Sequence, residues 1–170
     1  FYAFNDDITA ALRPGHRSGQ VHAIHTELAR LKPGGSANYT KILSFLSEQF
    51  SRRGVVIFIS DFLDAQEEFY AGLRRFRHSH HDCMLFHLVH DDEATFKFDK
   101  TVRFIDSETN QEIVTSPEAI RGQYLKAFDQ HLSDVSSFCL KNGLDCERLR
   151  TSQSLGDALA ATLHRRSATK

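Results

Sequence analysis

Two unbroken apolar runs dominate the hydrophobic pattern of this chain, at residues 55–59 and 83–89. Segments with helical periodicity lie on either side of the first run and before the second. Uninterrupted apolar runs of this kind are typical of parallel strands that are buried on both faces. The pattern therefore predicts that the two runs are adjacent inner strands of one sheet.

Apolar residues spaced three and four positions apart predict the neighbouring helices. These helices are expected at residues 18–31, with Ser18 as an N-cap, at 39–50 and at 65–76. Helices and strands alternate along this part of the chain. The alternation predicts an α/β fold with a doubly wound, mainly parallel, Rossmann-like sheet and helices on both of its faces. Two short strands, at 1–4 and 8–12, are expected before the first helix.

The second half of the chain departs from this rhythm. Alternating apolar and polar residues at 94–114 predict a small antiparallel excursion at the periphery of the sheet. A long helix then starts at Ser116-Pro117, where the proline fits the first helical position. Its apolar stripe is expected to pack against the sheet.

The chain is predicted to form a single domain. The long helix should end at Asn142-Gly143, followed by a strand at 144–149 and a helix at 155–163. The domain is therefore expected to span residues 1–165, with 166–170 as a tail.

Charge and composition narrow the classes of function. The 21 basic and 22 acidic side chains nearly balance, so net charge gives no attraction to nucleic acid, and no such partner is predicted. The longest apolar run is far shorter than the roughly 20 residues that span a bilayer, so no membrane segment is predicted in this chain. Three widely spaced cysteines without a CxxC pair favour a cytoplasmic location, or the cytoplasmic side of the membrane in a longer parent protein.

Asp61 is the first candidate for chemistry, because it directly follows the first predicted inner strand. Open α/β sheets bind ligands beyond the carboxyl ends of their strands. A carboxylate at that position suits a bound cation, and it equally suits a turn or a helix cap. The position alone leaves both roles open.

Other polar clusters offer an enzyme hypothesis. His78, His80 and His81 occupy one short segment between a helix and a strand, and Asp91, Asp92 and Glu93 follow the second inner strand. Both clusters contain metal-ligand residue types, but neither has a signature spacing. A solvated loop is the simpler interpretation of each.

Two further histidines, His87 and His90, flank the end of the second inner strand. For these the favoured roles are core packing and helix capping.

The order of several short motifs points to a family. In chain order they are Ser60-Asp61, His90-Asp91-Asp92-Glu93, Phe104-Ile105-Asp106-Ser107-Glu108-Thr109, a long helix with Tyr124, and Leu149-Arg150-Thr151 followed by Leu155-Gly156-Asp157-Ala158-Leu159. With them the chain resembles the bacterial family named domain of unknown function fifty-eight, a branch of the von Willebrand factor A (vWA) superfamily. The resemblance runs from about residue 1 to residue 165.

The resemblance implies a metal-ion-dependent adhesion site, in which a divalent cation, usually magnesium, lies above the sheet. Asp61 matches the aspartate that follows a central strand in that site, and Ser36 is the nearest match to its loop threonine. The Asp-x-Ser-x-Ser motif is absent. We expect that the chain starts at the second strand of the family, without the first strand, that motif and the first helix. Magnesium would then bind in an intact parent domain, and no cofactor is expected in this chain.

The function that the resemblance implies is a non-catalytic protein-interaction module. Related proteins are encoded beside MoxR-type AAA+ ATPases, so a partner ATPase in protein-complex maturation is expected. A sheet that lacks its first strand would expose an edge, and pairing between two chains would cover it, so a homodimer is a further expectation. The alternative is a metal-dependent hydrolase that uses either the histidine loop or the carboxylates of Asp61 and of residues 91–93. A third hypothesis is a purely structural dimerisation domain.

Overall fold

The structure is a computed structural model that describes residues 1–16, 18–32, 34–50, 52–63, 67–105 and 111–168. Its helices are α1 (Gln20–Arg30), α2 (Tyr39–Gln49), α3 (Glu67–His78), α4 (Asp91–Thr95), α5 (Pro117–Lys141) and α6 (Leu155–Ala168). Its strands are β1 (Tyr2–Phe4), β2 (Ile8–Ala11), β3 (Val55–Ser60), β4 (Asp82–Val89), β5 (Val102–Ile105), β6 (Glu112–Thr115) and β7 (Asp145–Arg150).

The fold is mixed α/β, as predicted. A three-stranded parallel sheet in the order β3-β4-β7 forms its centre, and two small antiparallel sheets, β1-β2 and β5-β6, accompany it. β4 is an inner strand with six buried residues. This is the environment that its mainly apolar sequence predicts.

The prediction that β3 is also an inner strand is wrong. Among the described strands β3 pairs only with β4, so it lies at the edge of the sheet. Val55, Ile57 and Ile59 are 63%, 51% and 65% exposed, and Phe58 is the buried residue of the strand. An apolar run allows a strand to be buried on both faces. It does not ensure that other elements cover both faces.

The main core lies on one face of the sheet, where α2, α3 and α5 pack. Phe69, Leu73 and Phe76 of α3 are almost fully buried there, together with residues of the two neighbouring helices and the sheet. The opposite face carries a smaller cluster, in which Leu159 of α6 packs near Met84. That cluster joins β4, β7 and α6 and contains no residue of β3.

The β1-β2 hairpin is fixed beside α2 through Asn5. The Asn5 Nδ2 donates a hydrogen bond to the Gly34 carbonyl over 3.0 Å, and the Asn38 N–H donates to the Asn5 carbonyl, also over 3.0 Å. Tyr2 and Phe4 pack against the main core. The hairpin therefore has a defined position although no described strand links it to the central sheet.

The helix N-termini differ in part from the sequence predictions. Gly19, rather than Ser18, is the N-cap of α1, and it makes no side-chain cap bond. No residue of α1 is buried, so its predicted apolar stripe lacks a cover in the described structure. Ser116 and Pro117 begin α5 as expected, and Asn142 ends it.

The excursion is antiparallel as predicted, with β5 and β6 in register from the Val102–Thr115 pair to the Ile105–Glu112 pair. Residues 106–110, between these two strands, lie outside the described residues. The sequence prediction missed α4, because three consecutive acidic residues, Asp91-Asp92-Glu93, are typical of a solvated loop, whereas in the structure they form the first turn of this helix.

The last helix extends beyond the predicted end of the domain. α6 continues to Ala168, so residues 166–168 are helical. Arg166 forms ion pairs with Asp82 of β4 and with Asp145 of β7, and so joins the helix to two strands. Its Nη1 lies 3.1 Å from the Oδ2 of Asp145. No helix of the described part of the chain is long and apolar enough to cross a membrane.

Gly72 allows α3 to approach α2 closely. A Cβ atom at this position would lie 2.3 Å from the Cδ1 and 2.8 Å from the Cβ of Leu43, which is itself buried. We expect Gly72→Ala to destabilise the fold by about 1–2 kcal/mol, because the cost of overpacking exceeds the gain in helix propensity. Gly122→Ala in α5 is the matched control: apart from the backbone of its own helix and its chain neighbours, no atom lies within 4 Å of its Cβ position, so it should raise stability. Thermal unfolding of both variants tests this, and a Gly72→Ala midpoint at or above the wild-type value would contradict it.

Candidate functional site

Asp61 lies at the carboxyl end of β3, where it forms a turn. Its Oδ1 accepts a hydrogen bond from the Leu63 N–H over 3.2 Å, and the Ser60 hydroxyl lies 3.4 Å from the same oxygen. Its side chain is exposed, and its carbonyl is 3.2 Å from the His131 Nε2. This is the geometry of an Asx turn, one of the two roles that the sequence left open.

The same turn directs Phe62 into the core. The Phe62 N–H donates to the Ser60 Oγ over 3.0 Å, and the Phe62 backbone is left-handed at φ 56°. Non-glycine residues rarely adopt this conformation, so the surrounding structure must hold it. Phe62 is 1% exposed, and its ring packs against Phe69 and His87. Burial of this ring is therefore what fixes Asp61 at the sheet edge.

A polar row crosses the sheet beneath this turn. Ser60, His87 and Arg148 are register partners on β3, β4 and β7, and His131 of α5 lies above them, with its ring centroid 5.3 Å from that of His87. His87 is 1% exposed, and its Nδ1 has no hydrogen-bond partner in the described structure. Burial, with a further contribution from His131 and Arg148, lowers the pKa of His87 to about 4. His87 is thus a neutral core histidine at physiological pH, as the sequence favoured.

Ser36 does not line the cleft that Asp61 lines. Ser36 is exposed in the loop before α2, whereas Gly35 and Ala37 line the same cleft as Asp61. The helix begins with Asn38, whose Oδ1 accepts from the Lys41 N–H over 3.1 Å. The loop is therefore organised around the asparagine cap.

The acidic cluster after β4 forms the short helix α4. His90 is its N-cap: its Nδ1 accepts from the Asp92 N–H, and the Glu93 carboxylate accepts from the His90 N–H. Asp91 pairs with Arg150 of β7 over 3.0 Å. Hydrogen bonds from Ser152 and Arg150 lower the pKa of Asp91. These contacts are structural, and they confirm the capping role expected for His90.

The three histidines of the α3–β4 loop have separate environments. His78 and His80 are exposed, whereas His81 is 2% exposed and its Nε2 lies 3.1 Å from the Phe50 carbonyl. Its ring also packs against Phe50 and Phe76. Within the described residues, no three His, Cys, Asp or Glu side chains come close enough together to hold a metal ion.

Two of the thiols interact inside the fold. Cys139 of α5 and Cys146 of β7 share a hydrogen bond, which raises the pKa of Cys139 and lowers that of Cys146. Burial raises the pKa of the Cys83 thiol to about 11. Cys83 and Cys139 are buried, as expected for small core residues.

A cleft of about 1130 Å³ lies along the open edge of β3. Residues 54–62 form one wall, and residues 1–5, which include β1, form the opposite wall. Tyr39 and Leu46 of α2 and Ile24 and Leu28 of α1 also line it. The sequence pattern missed this feature, because a continuous apolar run does not reveal whether its strand has a second neighbour.

Comparison with known proteins assigns the chain to a family. Residues 1–134 match the family model described as protein of unknown function DUF58. The chain belongs to this family. No curated protein and no solved structure matches the DUF58 chain.

The oxygen atoms at Asp61 do not fit a magnesium ion. Magnesium prefers six oxygen ligands in nearly octahedral geometry, at about 2.1 Å. Among the described residues at the end of β3, Asp61 provides one exposed carboxylate, and one of its oxygens already accepts a hydrogen bond in the turn. Ser36 does not line the cleft.

We expect the 170-residue chain to bind magnesium weakly or not at all, because one carboxylate cannot replace the missing ligands. Titration calorimetry with MgCl₂ should show no saturable heat, and Asp61→Ala should leave the titration unchanged. If the parent protein carries an upstream Asp-x-Ser-x-Ser motif, its inclusion should restore binding that Asp61→Ala abolishes. Tight binding by the chain alone would show that its ligands lie elsewhere.

Proposed function

We propose that the DUF58 chain is a non-catalytic protein-interaction module of the vWA type, with a Rossmann-like sheet. It works with a MoxR-type AAA+ ATPase in the maturation of protein complexes, on the cytoplasmic side of the membrane. The observation that carries this proposal is the open, apolar edge of β3 above the cleft. An edge strand with unpaired main-chain groups and exposed apolar side chains is a site of association unless the protein covers it.

The arrangement of the sheet supports the vWA assignment. Within the part of the chain that the structure describes, the parallel sheet ends at β3, and Val55, Ile57 and Ile59 of this strand are exposed. This is the arrangement expected if a first strand and a first helix are missing. In this proposal a magnesium site is completed only in an intact parent domain. Asp61 then contributes one ligand from the position where it now forms the turn.

The hydrolase hypothesis receives no comparable support from the described residues. The carboxylate of Asp91 is paired with Arg150, and His81 is buried away from its two exposed neighbours in the loop. The strongly shifted histidine, His87, is enclosed rather than open to a substrate. Metal analysis of untagged protein tests the alternative, since stoichiometric zinc or iron would favour the hydrolase.

Co-purification with the MoxR-type ATPase of the same genome tests the proposal, with ATP and with ADP. We expect a nucleotide-dependent complex that Asp61→Ala weakens. Asp129→Ala, which removes another exposed carboxylate from α5, is the matched control and should leave the complex unchanged. A complex that never forms would contradict the proposal. Undiminished binding by Asp61→Ala would favour a structural dimerisation domain instead.

A further inference from the structure

The turn between α5 and β7 brings two thiols together. The Leu144 N–H donates to the Cys139 carbonyl over 2.9 Å, and Gly143 reverses the chain with a left-handed φ of 62°. Side chains alternate between the two sides of an extended chain, so Leu144 and Cys146 lie on the same face of the sheet. Leu144 and Cys139 are buried in the main core, and Cys146 packs against it. The hydrogen bond between the Cys139 and Cys146 thiols follows from this arrangement.

A cavity of about 500 Å³ gives access to one of these thiols. The first residues of β4 and β7, Asp82 and Asp145, line it, so it lies at the amino ends of these strands. His80 also lines it and is exposed, so the cavity opens to solvent. Cys146 is half-buried and belongs to the lining, whereas Cys139 is 1% exposed and lies outside it. An oxidant that enters the cavity therefore reaches Cys146 before Cys139.

The lining of the cavity carries a net positive charge. Among the described residues, four arginines and three carboxylates line it, and the arginines are Arg53, Arg77, Arg165 and Arg166. The carboxylates are already paired with α6, Glu147 with Arg165 and both aspartates with Arg166. Arg77 adds its charge at the turn before β7, because its Nη2 lies 3.6 Å from the position that a Cβ of Gly143 would occupy. A partly exposed thiol in electropositive surroundings is the type that is deprotonated and oxidised most readily.

The two thiols of the pair differ in their protonation. The hydrogen bond with Cys139 lowers the pKa of Cys146 against the opposing effect of burial, and the charge of Arg148, on the same face of β7, lowers it further. The same hydrogen bond, together with burial, raises the pKa of Cys139, so the shared proton stays on the buried sulfur. Cys83 provides a contrast within the chain, because burial raises its pKa to about 11 and it lies outside the lining of the cavity. Cys146 is therefore the thiol of the pair that is suited to react, and Cys139 lies behind it.

We infer that Cys146 is a site of reversible oxidation by hydroperoxides, and that Cys139 converts the oxidised form into an intramolecular Cys139–Cys146 disulfide. The inference concerns a modification of the chain and does not rest on the proposed function. A disulfide of this kind closes the turn between α5 and β7 covalently, and a thiol reductant reopens it. In a reducing compartment such a pair is a transient redox-sensing element rather than a structural staple.

The oxidation takes place in two steps, with hydrogen peroxide as the oxidant. In the first, the Cys146 thiolate attacks a peroxide oxygen: an S–O bond forms, the O–O bond breaks, and the released hydroxide takes a proton from solvent. Cys146 is then a sulfenic acid. In the second, the Cys139 sulfur attacks the Cys146 sulfur: the S–S bond forms, the S–O bond breaks, and the departing hydroxide takes the Cys139 proton as water. The two thiols together lose two electrons and two protons, and the peroxide is reduced to two molecules of water.

Peroxide treatment of the folded chain, followed by mass spectrometry, tests the inference. The monomer should lose the mass of two hydrogen atoms, and dithiothreitol should restore it. Trypsin cuts after Lys141, so Cys139 and Cys146 fall in separate peptides that only a disulfide joins. The thiol of Cys83 should be oxidised at least about tenfold more slowly than that of Cys146, because it is buried and protonated. Absence of the joined peptides from the oxidised monomer, or oxidation of Cys83 at the same rate, would overturn the inference.

Serine variants separate the roles of the two thiols. Cys139→Ser should stop at the sulfenic acid, which dimedone traps at Cys146, whereas Cys146→Ser should leave Cys139 reduced. Cys83→Ser is the matched control: serine keeps a donor for the His81 carbonyl, and the disulfide should form as in the wild type. Circular dichroism before oxidation checks that each variant is folded, and if one is not, the peptide map of the wild type decides. A folded Cys139→Ser variant without a dimedone adduct at Cys146 would refute the inference.

Discussion

Phe76→Ala should lower the free energy of unfolding by about 3–5 kcal/mol. Phe76 is 0% exposed, and its ring packs against Phe50, Phe58 and His81 at centroid distances of 6.0, 5.7 and 5.7 Å. Truncation removes the contacts of the ring with the end of α2, with β3 and with the α3–β4 loop, and it leaves a cavity in the core. Domains of this size are stable by only about 5–15 kcal/mol, so a large share of the stability would be lost.

Urea unfolding followed by circular dichroism measures this effect. Phe45→Ala is the matched control, because Phe45 lies on α2 and is 41% exposed. Its transition should move by less than about 1 kcal/mol, since little apolar surface becomes newly exposed. If the two variants shift equally, Phe76 does not occupy the centre of the core.

Acidification from pH 7 to pH 4 should reduce stability by about 3 kcal/mol through His87 alone. The pKa of His87 is lowered from 6.5 to about 4 in the folded chain. Between about pH 6.5 and pH 4, His87 is protonated in the unfolded chain but stays neutral in the folded chain. The stabilisation by a neutral His87 is therefore complete above pH 6.5 and declines as the pH falls through this window.

His87→Leu should remove this component, and stability should then change much less between pH 7 and pH 4.5. His164→Leu serves as the control, because His164 is exposed on α6 and its loss should leave the slope as in the wild type. Urea midpoints at half-unit pH intervals provide the comparison. A slope that survives in His87→Leu would assign the acid sensitivity to other groups. The remaining charged neighbours of His87 are His131, Arg148 and Asp61.

Periodicity predicted most elements of this fold because each has a local cause. The run at 83–89 is buried on both faces, and Pro117 and Gly143 mark the two ends of α5 as their backbone preferences require. The edge position of β3 has no local cause. It depends on which elements lie beside the strand, and the same apolar residues would suit an inner or an edge strand.

The candidate site was predictable to a smaller extent. The position of Asp61 followed from the end of its strand, but its Asx turn depends on Phe62, whose left-handed backbone is held by packing against Phe69 and His87. The α4 helix was not predictable from the local sequence either. His90 is an unusual N-cap, and a run of three acidic residues has the composition of a solvated loop. The Asp91–Arg150 pair, which also contacts the helix, is contributed by a distant strand and cannot be anticipated from the local sequence.

Because β4 pairs with β7, the cooperative folding unit extends beyond the residues that match the family model. The match ends at residue 134, within α5, whereas β7 begins at Asp145 and gives β4 its second neighbour. Val135, Cys139, Leu144 and Leu149, all beyond that boundary, are buried in the clusters on the two faces of the sheet. Deletion after residue 134 would therefore cut a helix and bare the central strand on one side. Domain boundaries for related chains should accordingly include the strand and the helix that follow α5.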